Sequence, residues 1–383
     1  MIRALLLVLL LVPGVLRAQS SFLSSSGLGV PATPVDARAR ALGGIGTGLT
    51  GFNASLVNPA DAGALQWRGI STALQPSYRR VAYDGAAAGG SATRFPLLFA
   101  VYPIGRLTAQ VGFGSFLEQS WGVSSTTREV FGPDTVRVLD RTRVTGGVGQ
   151  VRAGVAYAVA PTLALGVAGG RYTGRVERIV TRSFPDVPAE EMAPVIDVGG
   201  WNYAGTLLAA GFRWDPTAII RLAGSLTWSS PLSADGIGAA SADRDIQLPL
   251  QAAVGATAVL SPDLLVAGGV RWEGWSVADG DLGASASDTW HVGAGFEYEG
   301  ASVSRFPLVL RLGGHYRQIP FAFGEARPSE WSLAFGAGSR LAIIEGGPVA
   351  LVDATLERGS ASAADALSES VWRLTVSLSL FGQ

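Results

Sequence analysis

Two histidines and a set of arginines are the residues of this 383-residue chain that could carry chemistry. His291 and His315 could move protons or bind a metal. However, no Ser stands two residues from either of them, and no further ligands follow at metal-site spacing. Cys and Lys are absent from the sequence, which excludes thiolate and Schiff-base catalysis, disulfides and an N-terminal lipid-modified Cys. The sequence therefore predicts no enzyme, no cofactor and no metal.

The overall charge excludes a second class of function. The chain has 29 basic residues, all of them Arg, and 30 acidic residues, so nothing indicates a nucleic-acid partner. Charged residues make up only 15% of the chain and hydrophobic residues 48%. A soluble protein carries about 25% charge. The composition thus indicates a protein whose surface does not face water alone.

The first 18 residues have the pattern of a secretory signal peptide. Arg3 precedes an apolar run over 4–12, Pro13-Gly14 breaks it, and Ala18 offers a small residue for cleavage. The alternative is a membrane anchor helix, for which the run is too short. We predict residues 1–18 as a signal peptide and export of the remaining chain.

Alternation with period two is the dominant pattern of the mature chain. Near the C-terminus, residues 372–380 place Trp372, Leu374 and Val376 on one face and the polar residues between them on the other. Two charge-poor stretches, 153–170 and 248–270, are long enough for membrane helices. Each is interrupted near its middle, at 160–162 and 261–263, so a hairpin is the preferred interpretation. In lipid, strands are stable only when they close into a barrel.

The lengths of the connections between the strands distinguish a membrane barrel from a soluble β-sandwich. Alternation of apolar and polar residues alone does not, because the strands of a sandwich show it too. Short turn signals alternate along the chain with longer polar stretches. Transmembrane barrels show this pattern, because their periplasmic turns are tight and their external loops are longer. The short signals stand at 103–105, 160–162, 215–217, 261–263, 299–300 and 346–348, and the polar stretches at 81–90, 122–140, 183–200, 231–245, 278–288, 318–328 and 358–369.

Counting between these connections predicts the fold class. It is all-β, a transmembrane antiparallel β-barrel of about 14 strands over residues 66–383, surrounded by the lipids of a bacterial outer membrane. The last strand ends at Phe381, and we expect the barrel insertion machinery to recognise this aromatic end.

Polar residues opposite the apolar faces are predicted to point into the lumen, since an Arg in mid-bilayer costs about 2–4 kcal/mol. They either pair with one another and with the N-terminal region or bind the carboxylate of a ligand. The candidates are Arg221, Arg271, Glu273, His291, Arg311, His315, Arg317 and Arg340, with Glu118, Glu297, Asp353, Glu357 and Arg373 on the same face.

Residues 19–65 have the composition of a plug inside the lumen, with a plain surface loop as the alternative. Pro and Gly discourage long strands, and 37–42 predicts one or two helical turns. The candidate plug or gate residues are Gly43, Gly44, Asn53, Asn58, Pro59 and Ala60, because Gly supplies tight backbone and Asn caps turns.

This region resembles the FadL family of outer-membrane transporters for hydrophobic compounds. That family begins with a plug that carries an Ala-Leu-Gly-Gly element and then Asn-Pro-Ala, which stand here as Ala41-Leu42-Gly43-Gly44 and Asn58-Pro59-Ala60. The resemblance implies passive, plug-gated diffusion of long-chain fatty acids or a similar hydrophobic small-molecule ligand. The same fold includes a branch of non-enzymatic scaffolds, which implies an exported protein as the alternative partner. Asp61 and the short external loops depart from the family pattern.

Overall fold

The chain folds almost entirely into antiparallel strands. The computed structural model describes residues 21–188, 190–238, 241–282, 284–303, 306–344, 347–363 and 367–382, so the predicted signal peptide 1–18 lies outside the described residues. Within these ranges there are 18 strands, one short α-helix and three 3-10 helices. None of the described helices is long and apolar enough to cross a bilayer.

The elements follow one another along the chain. Residues 21–66, called the N-terminal segment below, contain a 3-10 helix (Phe22–Ser25), β1 (Val30–Pro31), α1 (Ala37–Ala41) and a second 3-10 helix (Pro59–Ala64). The remaining strands are β2 (Arg68–Tyr83), β3 (Ala86–Ile104), β4 (Leu107–Glu118), β5 (Trp121–Phe131), β6 (Asp134–Ala160), β7 (Leu163–Ser183), β8 (Val195–Thr217), β9 (Ile220–Ser229), β10 (Leu232–Ile237), β11 (Arg244–Ile246), β12 (Gln251–Ser261), β13 (Leu264–Glu273), β14 (Thr289–Val303), β15 (Phe306–Gln318), β16 (Ser329–Ile344), β17 (Gly347–Ala363) and β18 (Leu367–Gly382), with a 3-10 helix (Trp275–Ala278) between β13 and β14.

These strands close into a ring. Each strand pairs with its neighbour, and β18 pairs with β2 from Leu367↔Tyr83 to Gly382↔Arg68. Three barrel strands are interrupted: β4 and β5 both line β6, β9 and β10 both line β8, and β11 precedes β12. The described residues therefore form a closed antiparallel barrel of 14 strands, which confirms the predicted fold class and strand number.

The barrel is apolar outside and polar inside, the reverse of a water-soluble protein. On β18, Trp372 is 46% exposed, whereas Arg373 and Ser379 are 4% and 3% exposed. The same alternation holds on β14, where Trp290 is exposed and His291 is buried. Lipid contact on the outside explains why large apolar side chains remain exposed on β2 to β9 and on β12 to β18.

The two ends of the barrel differ, and part of the predicted connection pattern is wrong. Tight turns connect strands at 105–106, 161–162, 218–219 and 262–263, and the hairpins predicted at 153–170 and 248–270 are confirmed. At the opposite end, β2 and β3 are joined by two residues, as are β5 and β6. The stretches 81–90, 122–140 and 358–369 are therefore strand continuations for most of their length, because ladder hydrogen bonds stabilise polar strands beyond the membrane.

Two residues do not occupy the predicted positions. The alternation over 248–254 predicts Leu248 on the lipid-facing side together with Leu250 and Val254, but Leu248 is buried in an interior cluster with Trp275 and Ile246, because the strand is interrupted between β11 and β12. Arg340 lies on the predicted lumen side of β16, but at the rim near the tight turns, where it is exposed and pairs with Glu299 at 3.3 Å instead of joining the buried lumen residues.

Candidate functional site inside the barrel

The N-terminal segment lies within the ring of strands, and its α-helix begins at a capping residue. Asp36 is the N-cap of α1, where its carboxylate accepts hydrogen bonds from Ala39 N at 2.8 Å and Ala54 N at 2.9 Å. This cap satisfies free N–H groups of the helix and ties it to the following loop. Burial raises the pKa of Asp36 to about 6, although both backbone bonds and Arg38 oppose the rise.

The α1 helix predicted over 37–42 is confirmed, and the barrel wall holds it from two sides. Ser377 Oγ accepts from Ala37 N at 3.2 Å, and Thr355 Oγ1 donates to Ala37 O at 2.6 Å. Arg38 donates two bonds of 2.7 Å to the Glu297 carboxylate on β14. These contacts bridge residues about 260 to 340 positions apart, so they form only when the barrel closes around the segment.

The predicted glycine pair lies against the inner wall. Gly43 has a φ of +93°, and a Cβ on it would come within 2.5 Å of Ala294 N on β14. Gly44, with a φ of +71°, lies beside His291. Only glycine combines this left-handed backbone with so close an approach to another strand.

The Asn-Pro-Ala element contacts the opposite part of the wall. Asn58 caps the 3-10 helix by accepting from Ala60 N at 3.0 Å, and it donates to Phe212 O on β8 at 3.0 Å. Gln110 on β4 donates to Pro59 O at 2.7 Å. Asn53 is also buried, and its amide has no hydrogen-bond partner among the described residues.

Three of the predicted lumen arginines hold the segment, two through its backbone and one through a side-chain hydroxyl. Arg221 donates to Leu49 O at 2.9 Å, and Arg317 donates to Pro31 O at 2.8 Å. Arg271 donates to Thr33 Oγ1 at 2.6 Å and lies 3.2 Å from the Glu273 carboxylate. These three guanidinium groups therefore connect the barrel wall with loops of the N-terminal segment.

Carboxylates pair with the remaining arginines of the interior. Arg311 bridges Glu297 at 2.5 Å and Asp353 at 2.6 Å. Arg373 bridges Glu330 at 2.5 Å and Glu357. Of the two interpretations from the sequence, pairing with one another and with the N-terminal segment fits these contacts, and a ligand carboxylate would have to displace an existing partner.

The two histidines meet in the same interior. Their ring centroids are 4.9 Å apart, and Arg271 Nη2 lies 3.1 Å from His291 Nδ1. His315 also approaches Glu330 and Glu357, with candidate ligand atoms within 4.8 Å of one another, a grouping that no sequence spacing indicated. Because both carboxylates already accept from Arg373, this grouping belongs to the ion-pair network and does not form an open metal cage.

An opening in the barrel wall is the feature that sequence reasoning missed. β3 pairs with β4 only from Leu97↔Gly114 to the tight turn. Beyond this point, β3 pairs with β2 and β5 pairs with β6, so the described backbones of β3 and β5 separate. Inside the opening, β1 pairs with β4 at Leu117 and Glu118. No local signal marks the separation, because it depends on which neighbours the two strands find.

A cavity of about 340 Å³ occupies this opening. Its lining is mainly apolar and combines Phe22 of the N-terminal segment with Val81, Ala88, Trp121 and Val123 of the wall. Arg79 also reaches it, but this guanidinium is paired with Glu369 at 2.6 Å. Glu369 in turn accepts from Ser21 Oγ, Phe22 N and Leu23 N. The cavity therefore presents apolar surface and one neutralised ion pair.

A closed barrel with a lipid-facing surface, a filled interior and an opening in its wall defines an outer-membrane β-barrel protein. The BamG family model matches residues 1–197, and the chain belongs to this family. No curated protein sequence matches it.

Solved structures of FadL-family proteins share the barrel. The toluene transporter TbuX of Ralstonia pickettii is 19% identical, with a TM-score of 0.61 over 91% of this chain and 98% of that one. A FadL homologue of Pseudomonas aeruginosa is 14% identical, with a TM-score of 0.65 over 92% and 99%. The toluene transporter TodX of Pseudomonas putida is 15% identical, with a TM-score of 0.57 over 93% and 99%. At these identities the similarity establishes the fold.

Proposed function

We propose that this protein is a passive outer-membrane channel for small, uncharged hydrophobic compounds, with the N-terminal segment as its plug. The cavity in the wall opening between β3 and β5 carries this proposal, since it is an apolar space of ligand size that lies between the strands at the outer end of the barrel. Ligand sites are typically apolar concave spaces of about 300–1,000 Å³. The names of TbuX and TodX, both called toluene transporters, support the same substrate class.

The charge distribution favours uncharged compounds over the long-chain fatty acids implied by the family resemblance. A fatty-acid carboxylate needs an available cation or several N–H donors. At the cavity, Arg79 is bound to Glu369, and that carboxylate is already saturated by Ser21, Phe22 and Leu23. A carboxylate ligand would have to break a buried ion pair, whereas an aromatic hydrocarbon would only displace water.

Passage beyond the cavity requires the plug to move near Asn58-Pro59-Ala60. The enclosed space beside Leu56 and Pro59 has a volume of only about 10 Å³, which is too small for a hydrocarbon. Asn58, Pro59 and Ala60 are held by single hydrogen bonds to β8 and β4, each worth about 1 kcal/mol. Charged groups hold the other part of the plug more strongly, through the ion pairs of α1, the bond of Asp36 to Ala54 N and the bond of Arg152 to Leu56 O, so we place the mobile part at 57–64.

Uptake of naphthalene by intact cells tests the channel. Ala88 faces the cavity from the same side of the wall as Val81, whereas Ala82 faces outward on β2. We expect Ala88→Trp to reduce the protein-dependent uptake at least fivefold and Ala82→Trp to leave it unchanged. Full uptake by Ala88→Trp at normal protein levels would contradict a route through the cavity.

A scaffold that binds an exported protein is the second candidate. Two observations favour it. The chain belongs to the BamG family. The interior is also tightly filled, since the enclosed spaces against the N-terminal segment have volumes of only about 10 to 20 Å³ each. Purification in mild detergent distinguishes the candidates. A polypeptide retained at one copy per barrel, together with uptake that is unaffected by Ala88→Trp, would support the scaffold.

A further inference from the structure

We propose that the outward face of β6, β7 and β8 is a binding site for a phosphorylated lipid of the outer leaflet. In this arrangement the acyl chains lie in an apolar groove and the phosphates bind arginines directly beyond its outer end. The site lies on the outside of the wall and is independent of the channel proposed above.

The acyl part of the site is a groove of about 830 Å³ in the lipid-facing surface. Ala153, Gly169 and Ala210 form a low floor on three adjacent strands, and Leu208 and Trp228 rise at its edge. Elsewhere on the barrel, large apolar side chains such as Phe335 and Leu333 on β16 project from the lipid-facing surface. The groove therefore offers shape complementarity to hydrocarbon chains, which a flat barrel surface lacks.

The arginines follow the groove on the same face of the wall. On β7, the outward residues after Gly169 are Arg171, Thr173 and Arg175, and Arg171 is about 7 Å from Gly169 along the strand. Arg141 and Arg143 project outward from β6. In the described part of the chain, Arg141, Arg143 and Arg171 have no acidic partner, and Arg175 has only Glu177 at 3.7 Å. The interior arginines, by contrast, are held by carboxylates and backbone carbonyls.

The height of Arg171 and Arg175 matches that of lipid headgroups, whereas Arg143 and Arg141 pair with Ile179 and Thr181 and lie further out along the strands. Arg171 is paired in register with Val151 on β6 and Thr206 on β8, where the outward residues change from apolar to polar. Trp228, an amphipathic residue typical of membrane interfaces, pairs with Leu208 one step below. At the opposite end, two-residue turns join β6 to β7 and β8 to β9, whereas at this end the longer connection 184–194 joins β7 to β8, so this boundary faces the outer leaflet.

Phosphate is the headgroup chemistry that fits. Guanidinium groups bind phosphate through two parallel N–H bonds, and unpaired arginines spaced along a strand can engage several phosphates of one headgroup. Basic residues at the end of a groove between membrane-spanning elements are a recurrent lipid-binding arrangement. A glycolipid with several acyl chains and more than one phosphate, such as lipid A, satisfies both halves of the site.

Native mass spectrometry of the full-length mature protein with diphosphoryl lipid A tests the headgroup contacts. We expect Arg171→Gln with Arg175→Gln to reduce retention at least tenfold, and dephosphorylated lipid A to bind the unmodified protein equally weakly. The matched control is Arg80→Gln with Arg327→Gln, two exposed arginines outside this sector. Equal retention by both double variants, or equal retention of the two lipids, would overturn the proposal.

A second pair of variants tests the groove while the arginines stay in place. Ala153→Phe with Ala210→Phe fills the floor with side chains that face lipid, so the barrel is expected to fold normally. Ala294→Phe, also outward but on β14, is the control. We expect only the first variant to lose lipid A at least fivefold. Unchanged retention, or a polypeptide that covers the groove in place of lipid, would refute the site.

Discussion

Arg38 of α1 and Glu297 of β14 form a two-pronged ion pair in the middle of the barrel, with both N–O distances at 2.7 Å. Arg311 binds the same carboxylate and continues to Asp353. Arg38 of the N-terminal segment therefore supplies a positive charge that helps to neutralise Glu297 of the barrel wall, and Glu297 in turn neutralises Arg38.

Removal of this counter-charge is the first test. Arg38→Met leaves Glu297 with one of its two arginines in a buried environment, and we expect a loss of about 3 kcal/mol in the free energy of unfolding. Urea unfolding in lipid vesicles measures it. Arg340→Met is the control, because its pair with Glu299 is about half exposed and worth under about 1 kcal/mol. Equal losses in the two variants would argue against a docked segment.

A methyl group added to the inner wall should displace the plug. A Cβ on Gly166 of β7 would come within 2.5 Å of Pro59 C, whereas a Cβ on Gly169 of the same strand has open contacts of 3.6 Å or more. We expect Gly166→Ala to raise single-channel conductance in planar bilayers at least threefold and Gly169→Ala to have no effect. A silent Gly166→Ala with normal folding would contradict a plug seated at 59–60.

The cap residue of the second 3-10 helix gives a graded test. Asn58→Ala loses the helix cap and the bonds to Phe212 and Thr47, and we expect about 2 kcal/mol of destabilisation with frequent channel opening. Asn58→Ser can still cap the helix through its hydroxyl oxygen but loses the amide donors to Phe212 O and Asp61, so its opening frequency should lie between those of the unmodified protein and Asn58→Ala. Identical traces for all three proteins would refute a gate at this position.

Asp36 predicts a defined pH dependence. Burial raises its pKa from the ordinary 3.8 to about 6, so the folded state favours the protonated acid. Its stabilising contribution is therefore complete below about pH 4 and is lost as the pH rises to about 6. We expect the unfolding midpoint of the unmodified protein to fall relative to Asp36→Asn across this window and to stay constant above it. A difference that does not vary with pH would contradict the raised pKa.

The sequence alone was sufficient for the barrel because its information is local. Residues 372–380 sort into two faces whatever their neighbours are, and lipid outside with polar contacts inside is the arrangement that satisfies both faces. The same period-two pattern placed His291, Arg311 and Arg373 on the lumen side of their strands, and the structure confirms that these side chains are buried. The helical turns at 37–42 could also be predicted from the sequence. In the structure, Asp36 caps the helix from the position directly before it.

Other features depended on the closed ring. Which acid each arginine meets, the contact of Gly43 with β14, and the separation of β3 from β5 all join residues distant in sequence. Leu248 does not face lipid as predicted, and Arg340 lies on the predicted side but at the exposed rim, because strand interruptions and barrel rims are set by pairing partners and not by alternation. A period-two pattern specifies a face, whereas a contact across the lumen is specified only when 14 strands fix their register together.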